Sequence, residues 1–166
     1  MFLYLVRHGV AIDREDPKCP AEAERHLTEE GLKKTRDVAR GVASFVEKPD
    51  LFFSSPYVRA LQTAEIFCAA LKFPKQEIHR TNFLLPGSQP AAFFRELAKH
   101  KDAESVFCFG HAPNLDELLA AAIGSRHDVT SLKKAGIACL ELRRIAPPSG
   151  ILLWLATPKL LKQVKG

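Results

Sequence analysis

Short apolar runs that stop abruptly at polar clusters, each followed by a stretch of helical periodicity, set most of what this chain can become. Phe2–Val6 stops at Arg7-His8-Gly9, Leu51-Phe52-Phe53 at Ser54-Ser55-Pro56, and Ser105–Phe109 is closed by Gly110-His111. Apolar runs of this length read as buried strands. After the first, Thr28 is placed as an N-cap, Glu29 and Glu30 fill a first turn where the helix dipole favours acid, and Leu32, Thr35, Ala39, Val42 and Val46 recur at helical spacing. That helix is expected to reach about Glu47 and to stop before Pro49. Tyr57, Ala60, Leu61, Ala64, Phe67, Cys68 and Leu71 mark a second helix. An extended piece at Glu77–Thr81, a loop with Pro86-Gly87, a short helix from Pro90 to about Lys99 and a helix through Leu115, Leu118, Leu119, Ala122 and Ile123 continue the alternation.

Strands alternating with helices predict a three-layer α/β/α sandwich on a largely parallel sheet. Ile137–Arg143 and Ile151–Ala156, joined through Pro147-Pro148-Ser149-Gly150, predict a C-terminal hairpin, so the sheet is expected to be mixed. At 166 residues and 46% hydrophobic, the chain suits one compact domain spanning residues 1–166.

The polar clusters lie at the ends of predicted strands, where open α/β sheets collect ligands. Arg7 and His8 can share a pocket only if the strand is already ending, because neighbouring strand residues face opposite ways; Gly9 permits the turn. A neutral imidazole attacks phosphorus without a strong base, provided one ring nitrogen is held and the other is free. For His8 the holder is expected to be a backbone carbonyl. A phosphoryl dianion needs planar cations with paired donors, and Arg7 and Arg59 supply them, Arg59 from the first turn of the second helix.

Composition narrows the partners. The net charge of +5 comes from 24 basic against 19 acidic residues that are interspersed, which does not point to nucleic acid. Lys133-Lys134, Arg143-Arg144 and the tail KLLKQVKG could steer an acidic or phosphorylated partner, set against the plainer reading of solvated surface. No apolar run approaches the length needed to cross a bilayer, and MFLYLVRHG lacks a basic leader, so a cytoplasmic location is expected. Cys19, Cys68, Cys108 and Cys139 read as buried free thiols. His26, His79, His100 and His127 have no partners at ligand spacing, so neither a metal nor another cofactor is expected.

With these residues in place the sequence resembles the histidine phosphatase superfamily, which includes the phosphoglycerate mutases, and within it the short SixA-type phosphohistidine phosphatases. FLYLVRHGVA resembles the nucleophile motif, SSPYVRALQTAEIF the second arginine motif and FGHAPNLDELLA the second histidine motif. RHLTEEG, LKKAGIACLEL and ILLWLATPKLL resemble the SixA branch. The resemblance implies a phosphoglycerate mutase-like fold and transient phosphorylation of His8. It implies a phosphoryl site of Arg7, Arg59 and His111, with His111 giving a hydrogen bond or positive charge, and Arg25 as a further arginine at the rim. It also implies a phosphohistidine-bearing protein of a phosphorelay or phosphotransfer system as partner, with phosphate ion released.

Larger members of that superfamily usually carry an acid after the third strand to protonate the leaving oxygen, and Arg80–Leu85 offers none. An alkoxide needs such an acid, whereas the imidazole of phosphohistidine can leave neutral, so the gap should cost ester hydrolysis about 10²–10⁴-fold and P–N cleavage far less. Asp13, Asp16, Glu22 and Glu24 stay open as substitute acids. Two further readings also stay open, a general phosphatase of small phosphate esters and a catalytically weak phosphate-binding module. A cysteine-dependent phosphatase, suggested by C-x5-R from Cys19 to Arg25, is disfavoured: that loop has no glycine to wrap a phosphate, and Glu22 and Glu24 would repel it.

Overall fold

The computed structural model describes residues 1–164. Its sheet is built from β1 (Phe2–Arg7), β2 (Leu51–Ser54), β3 (Ile78–Arg80), β4 (Ser105–Gly110), β5 (Ile137–Arg144) and β6 (Ser149–Ala156), in the order β3-β2-β4-β1-β5-β6. The first four strands are parallel, while β5 runs antiparallel to β1 and β6 antiparallel to β5. The helices are α1 (Glu29–Ala43), α2 (Val58–Leu71), α3 (Pro90–Leu97), α4 (Asn114–Ala122) and the short α5 (Pro158–Leu161).

Strand side chains alternate between two cores, as the pleat requires. On one face Leu3, Leu5, Phe53, Val106, Cys108 and Leu140 meet α3 and α4 through Phe93, Leu97, Leu115 and Leu119. On the other, Val6, Phe52, Phe107, Phe109 and Ile137 meet α1 and α2 through Val38, Val42, Ala64 and Phe67, with Leu161 of α5. The result is the expected three-layer sandwich with a mixed, largely parallel sheet. Tyr4 stacks on Phe107 at 4.3 Å between ring centroids, and Phe52 on Phe73 at 4.4 Å, so offset aromatic packing fills the second core.

Topology also fixes where the sheet opens. From β1 the chain moves outward to β2 and β3 with α1 and α2 on one face, then returns to β4 with α3 on the other. Right-handed crossovers make helices change face when the direction of travel reverses. The carboxyl ends of β1, β4 and β2 therefore border a crevice that neither helix layer covers.

Some boundaries differ from expectation. The first helix ends at Ala43, because Ser44 donates its hydroxyl to the Gly41 carbonyl at 2.7 Å and the chain tightens there, with Val46 still packed on the core. The third helix gives way to a 3-10 turn at Ala98–His100. Cys68, Cys108 and Cys139 are buried, but Cys19 is only half-buried, since its loop lies outside both cores. Among the described residues no helix is long and apolar enough to cross a membrane.

Gly41 lies inside α1, where alanine would ordinarily gain up to about 1 kcal/mol of helix propensity. Here a Cβ would land inside the van der Waals envelope of the Leu161 carbonyl oxygen. Gly41→Ala is therefore expected to reverse the usual sign and destabilise by about 1–3 kcal/mol through overpacking of α5 on α1, read by urea unfolding.

Candidate active site

Four backbone links hold the three strand ends together. His8 N donates to the Gly110 carbonyl at 3.0 Å and Ser55 N to the Phe109 carbonyl at 2.9 Å, tying the ends of β1 and β2 to β4. Ala135 N donates to the carbonyls of Arg7 and His8 at 3.0 and 3.1 Å. Gly9 N donates to Thr63 Oγ1 at 3.0 Å, and that hydroxyl donates to the Arg59 carbonyl at 2.7 Å, so the turn after β1 is latched to α2. Only glycine lets this turn pass so close to the Thr35 hydroxyl.

Arg7, His8, Arg59, His111 and Arg25 all line one cleft of about 450 Å³ at the crevice. His8 is 7% exposed. Its Nδ1 lies 2.7 Å from the Gly9 carbonyl, which can only accept, so the proton sits on Nδ1 and Nε2 carries a lone pair. The expected carbonyl is thus that of the next residue. Arg59 Nε donates to His8 Nε2 at 3.3 Å. Burial, opposed by the Gly9 hydrogen bond and reinforced by the Arg59, Arg7 and Lys134 charges, pulls the His8 imidazole down to about 3, so it is neutral at pH 7.

His111 lies 5.1 Å from His8 between ring centroids and shares a 2.8 Å hydrogen bond through Nε2 with the Ser55 hydroxyl. Its Nδ1 is buried without a partner. Burial, with the His8 and Arg59 environments, pulls His111 to about 3 as well. In the free cleft it offers a hydrogen bond rather than the positive charge that was its other expected contribution, because desolvation has already removed the proton.

The arginines are held by backbone carbonyls. Arg7 Nη1 donates to the Leu132 carbonyl at 2.6 Å while Asp116 Oδ1 accepts from Leu132 N at 2.9 Å, and Arg7 Nε is buried with no partner. Arg59, 3% exposed, donates through Nη1 to the Glu22 carbonyl at 2.7 Å and through Nη2 to Glu22 Oε1 at 2.8 Å, with its guanidinium carbon 4.9 Å from the Tyr57 ring centroid. Arg25 is committed to the Ile12 carbonyl at 3.1 and 2.7 Å and to Glu22 at 3.3 and 3.2 Å, which places it at the rim.

Glu22 is a hub whose arginine contacts sequence reasoning missed, having offered it only as a substitute acid. Its carboxylate meets Arg14, Arg25 and Arg59. The Arg14 hydrogen bond above all, then those of the other arginines, pull it down to about 2 against the effect of burial. A carboxyl so stabilised in its ionised form holds no proton to give. Of the other loop acids, Asp13 and Glu15 border the cleft with exposed side chains, Asp13 accepting from Glu15 N at 3.0 Å, and Asp16 and Glu24 do not line it. Cys19 points its thiol at the Pro20 carbonyl and is not among the cleft residues, so Cys19 and Arg25 form no phosphate loop.

Thr63 and Lys134 were also missed. Thr63 had a signal, lying one turn after Arg59 on the same helix face; Lys134, which lines the cleft from the loop before β5, was legible only as half of the basic pair Lys133-Lys134. His79 and His100 pack with Phe53, away from the cleft. Among the described residues no three His, Cys, Asp or Glu side chains gather in metal-binding geometry.

The arrangement amounts to a neutral, oriented imidazole among guanidiniums and a second imidazole, a geometry suited to a tetrahedral oxyanion. Comparison with known proteins leads to the same place. The sequence profile of the histidine phosphatase superfamily (branch 1) matches residues 3–82. An uncharacterized protein of Picosynechococcus sp. is 35% identical over 97% of this chain and 99% of its own. The structure of the protein histidine phosphatase SixA complexed with tungstate superposes with a TM-score of 0.85 at 22% identity, covering 97% of this chain and 99% of that one. The α-ribazole phosphatase of Shigella flexneri superposes at 0.76 and 15% identity, covering 95% and 97%. At such identities these two structures share the fold, and the profile over β1 to β3 with its His8 and Arg59 segments assigns the lineage: this chain belongs to the histidine phosphatase superfamily.

Proposed function

We propose that this enzyme dephosphorylates phosphohistidine on a partner protein, with His8 as the nucleophile and Arg7, Arg59 and His111 as the phosphoryl site. The observation that carries the reading is the state of the two kinds of titratable group in the cleft. His8 Nε2 is an unprotonated, oriented nucleophile, while the carboxylate that reaches the arginines, Glu22, is held ionised by them. Glu22 holds no proton for a leaving oxygen, and the other carboxyls at the cleft, Asp13 and Glu15, have exposed side chains; a leaving imidazole needs no acid. The fold likeness to a protein histidine phosphatase agrees with this choice, and the somewhat lower likeness in fold to an α-ribazole phosphatase is why the experiment must include an ester.

In the first step the Nε2 lone pair attacks phosphorus in line and the P–N bond to the substrate histidine breaks. Its electron pair returns to the substrate ring, which departs as neutral imidazole with the proton it already carries on its other nitrogen. Phospho-His8 keeps its Nδ1–H on the Gly9 carbonyl, so the ring is cationic and is itself a good leaving group. Water then attacks phosphorus, the pair returns to Nε2, and both water protons leave on the phosphate, which releases one of them to solvent. Arg7 Nε and His111 Nδ1 are buried without partners in the free protein, and in this reading they turn their donors to the equatorial oxygens. Arg59 must exchange its bonds to His8 Nε2 and Glu22 for bonds to the phosphoryl group. The 166-residue chain acts as one unit in this reading, and its four free thiols suit a cytoplasmic setting.

The direct assay compares phosphate release from a phosphohistidine-bearing protein and from a sugar phosphate, in EDTA, for wild type and His8→Ala. The expected outcome is preference for the phosphohistidine protein by at least about 10²-fold, with the variant inactive on both. Preference for the ester would mean that a cleft carboxyl such as Asp13 or Glu15 reaches the leaving oxygen, and a metabolite phosphatase.

The neutral histidines also govern stability against pH. Both sit near 3 in the folded protein and near the ordinary 6.5 in the unfolded chain, so unfolding takes up protons between those values. Their contribution is complete above pH 6.5 and is lost as pH falls towards 3, at about 1.4 kcal/mol per pH unit for each histidine well below 6.5. Unfolding free energies measured from pH 7 to pH 4 should therefore fall more steeply for wild type than for His111→Asn, and equal slopes would mean that His111 is protonated in the fold.

A further inference from the structure

A second hollow of about 450 Å³ adjoins the cleft, and Lys134 lines both. Its floor is apolar, formed by Val10, Ala135 and Pro158, and four lysines converge on it from three parts of the chain. Lys34 comes from α1, Lys134 from the loop before β5, and Lys159 and Lys162 from α5 and the residue after it. Lys34 pairs with Glu30, whose carboxylate also feels Lys162. Lys134, Lys159 and Lys162 make no salt bridge among the described residues.

Four ammonium groups around one hollow, opposed by a single carboxylate, make a locally positive surface that an anionic occupant complements. Lys134 lines both hollows, and the backbone that follows it is fastened. The following residue, Ala135, is buried in a left-handed conformation (φ 60°) and donates to the Arg7 and His8 carbonyls, so this loop is fastened to the nucleophile's own strand. The Lys134 charge also reaches His8 itself. A ligand in the lysine hollow is thus continuous with one at His8. The occupant is a protein segment rather than a small phosphate ester, because a histidine ring and its phosphoryl group occupy the cleft while the neighbouring hollow wants carboxylates above an aliphatic floor.

We propose that the Lys34, Lys134, Lys159 and Lys162 hollow docks an acidic segment flanking the phosphorylated histidine of the partner protein. This rests on the phosphohistidine reading above and adds the partner's chemistry to it. Docking sets the encounter and the Michaelis constant while the chemical step is left to the cleft.

The test uses two fluorescein-labelled peptides with a central histidine, one flanked by glutamates and the other by glutamines. Binding of the unphosphorylated peptides is followed by anisotropy, and hydrolysis of the phosphorylated forms and of phosphoramidate is followed by phosphate release. Wild type should bind the glutamate peptide about tenfold more tightly at about 50 mM salt, with the preference nearly gone at about 0.5 M, as screening predicts. Lys159→Gln with Lys162→Gln should weaken that binding and raise KM about three- to tenfold. It should leave kcat and phosphoramidate turnover unchanged, which also shows that the variant is folded. Lys48→Gln with Lys101→Gln, equal in charge and at the opposite end of the strands, should behave as wild type.

Loss of the glutamate preference in wild type, or its survival in the Lys159/Lys162 variant, overturns the docking site while P–N hydrolysis stands. Lysine-dependent binding without turnover of the phosphopeptide or phosphoramidate overturns the phosphohistidine reading, and the partner proposed here with it.

Discussion

Everything at the cleft depends on the way the end of β1 is fastened. A strand end is normally free to fray, yet here the His8 amide is paired with β4, the carbonyls of Arg7 and His8 share the Ala135 amide, and Gly9 is latched through Thr63 to α2. These bonds come from the sheet, from the loop before β5 and from one helix layer. The nucleophile proposed above is therefore located by backbone groups that side-chain motion cannot loosen, which is the condition for a ring nitrogen to be aimed in advance. The same fastening explains the tautomer, since the turn that Gly9 permits brings its own carbonyl onto Nδ1.

The charges are arranged around that fixed point. Two imidazoles are kept neutral by burial among cations, and Arg59 is kept charged and extended by Glu22, which lies on it where a phosphoryl oxygen would compete. Glu22 thus acts in the free protein as a stand-in anion that keeps the arginines ordered. Ordering of this kind lowers the entropy lost when substrate binds, at the expense of an exchange step. Asp116 serves Arg7 less directly, pinning Leu132 so that its carbonyl receives the guanidinium.

The sheet, the helix faces and five of the site residues are legible in the sequence for one physical reason. Parallel strands buried on both faces must be apolar until they end, so Arg7, His8, Ser55 and His111 mark strand ends by themselves, and Arg59 follows from helix phase. The places of Glu22 and Lys134 at the cleft are not legible, because they reach it from loops whose path no periodicity encodes. The end of α1 was misplaced because Val46 keeps the helical spacing and the core contact after Ser44 has broken the helix. In β6 the apolar pattern reads as a buried strand, yet Ile151, Leu152, Leu153 and Leu155 are each about 40% exposed because the strand lies at the sheet edge. Edge position is a property of topology, which local pattern does not carry.

The central claim is that phosphorus passes through Nε2 of His8, and the most direct test is to look for it there. Wild type mixed with phosphoramidate and quenched in alkali should carry one acid-labile phosphate, located on His8 by peptide mass spectrometry and identified as the Nε2 isomer by ³¹P NMR. Turnover without protein-bound phosphate, phosphate on another residue, or the Nδ1 isomer would contradict the account, since Nδ1 is the nitrogen that the Gly9 carbonyl holds.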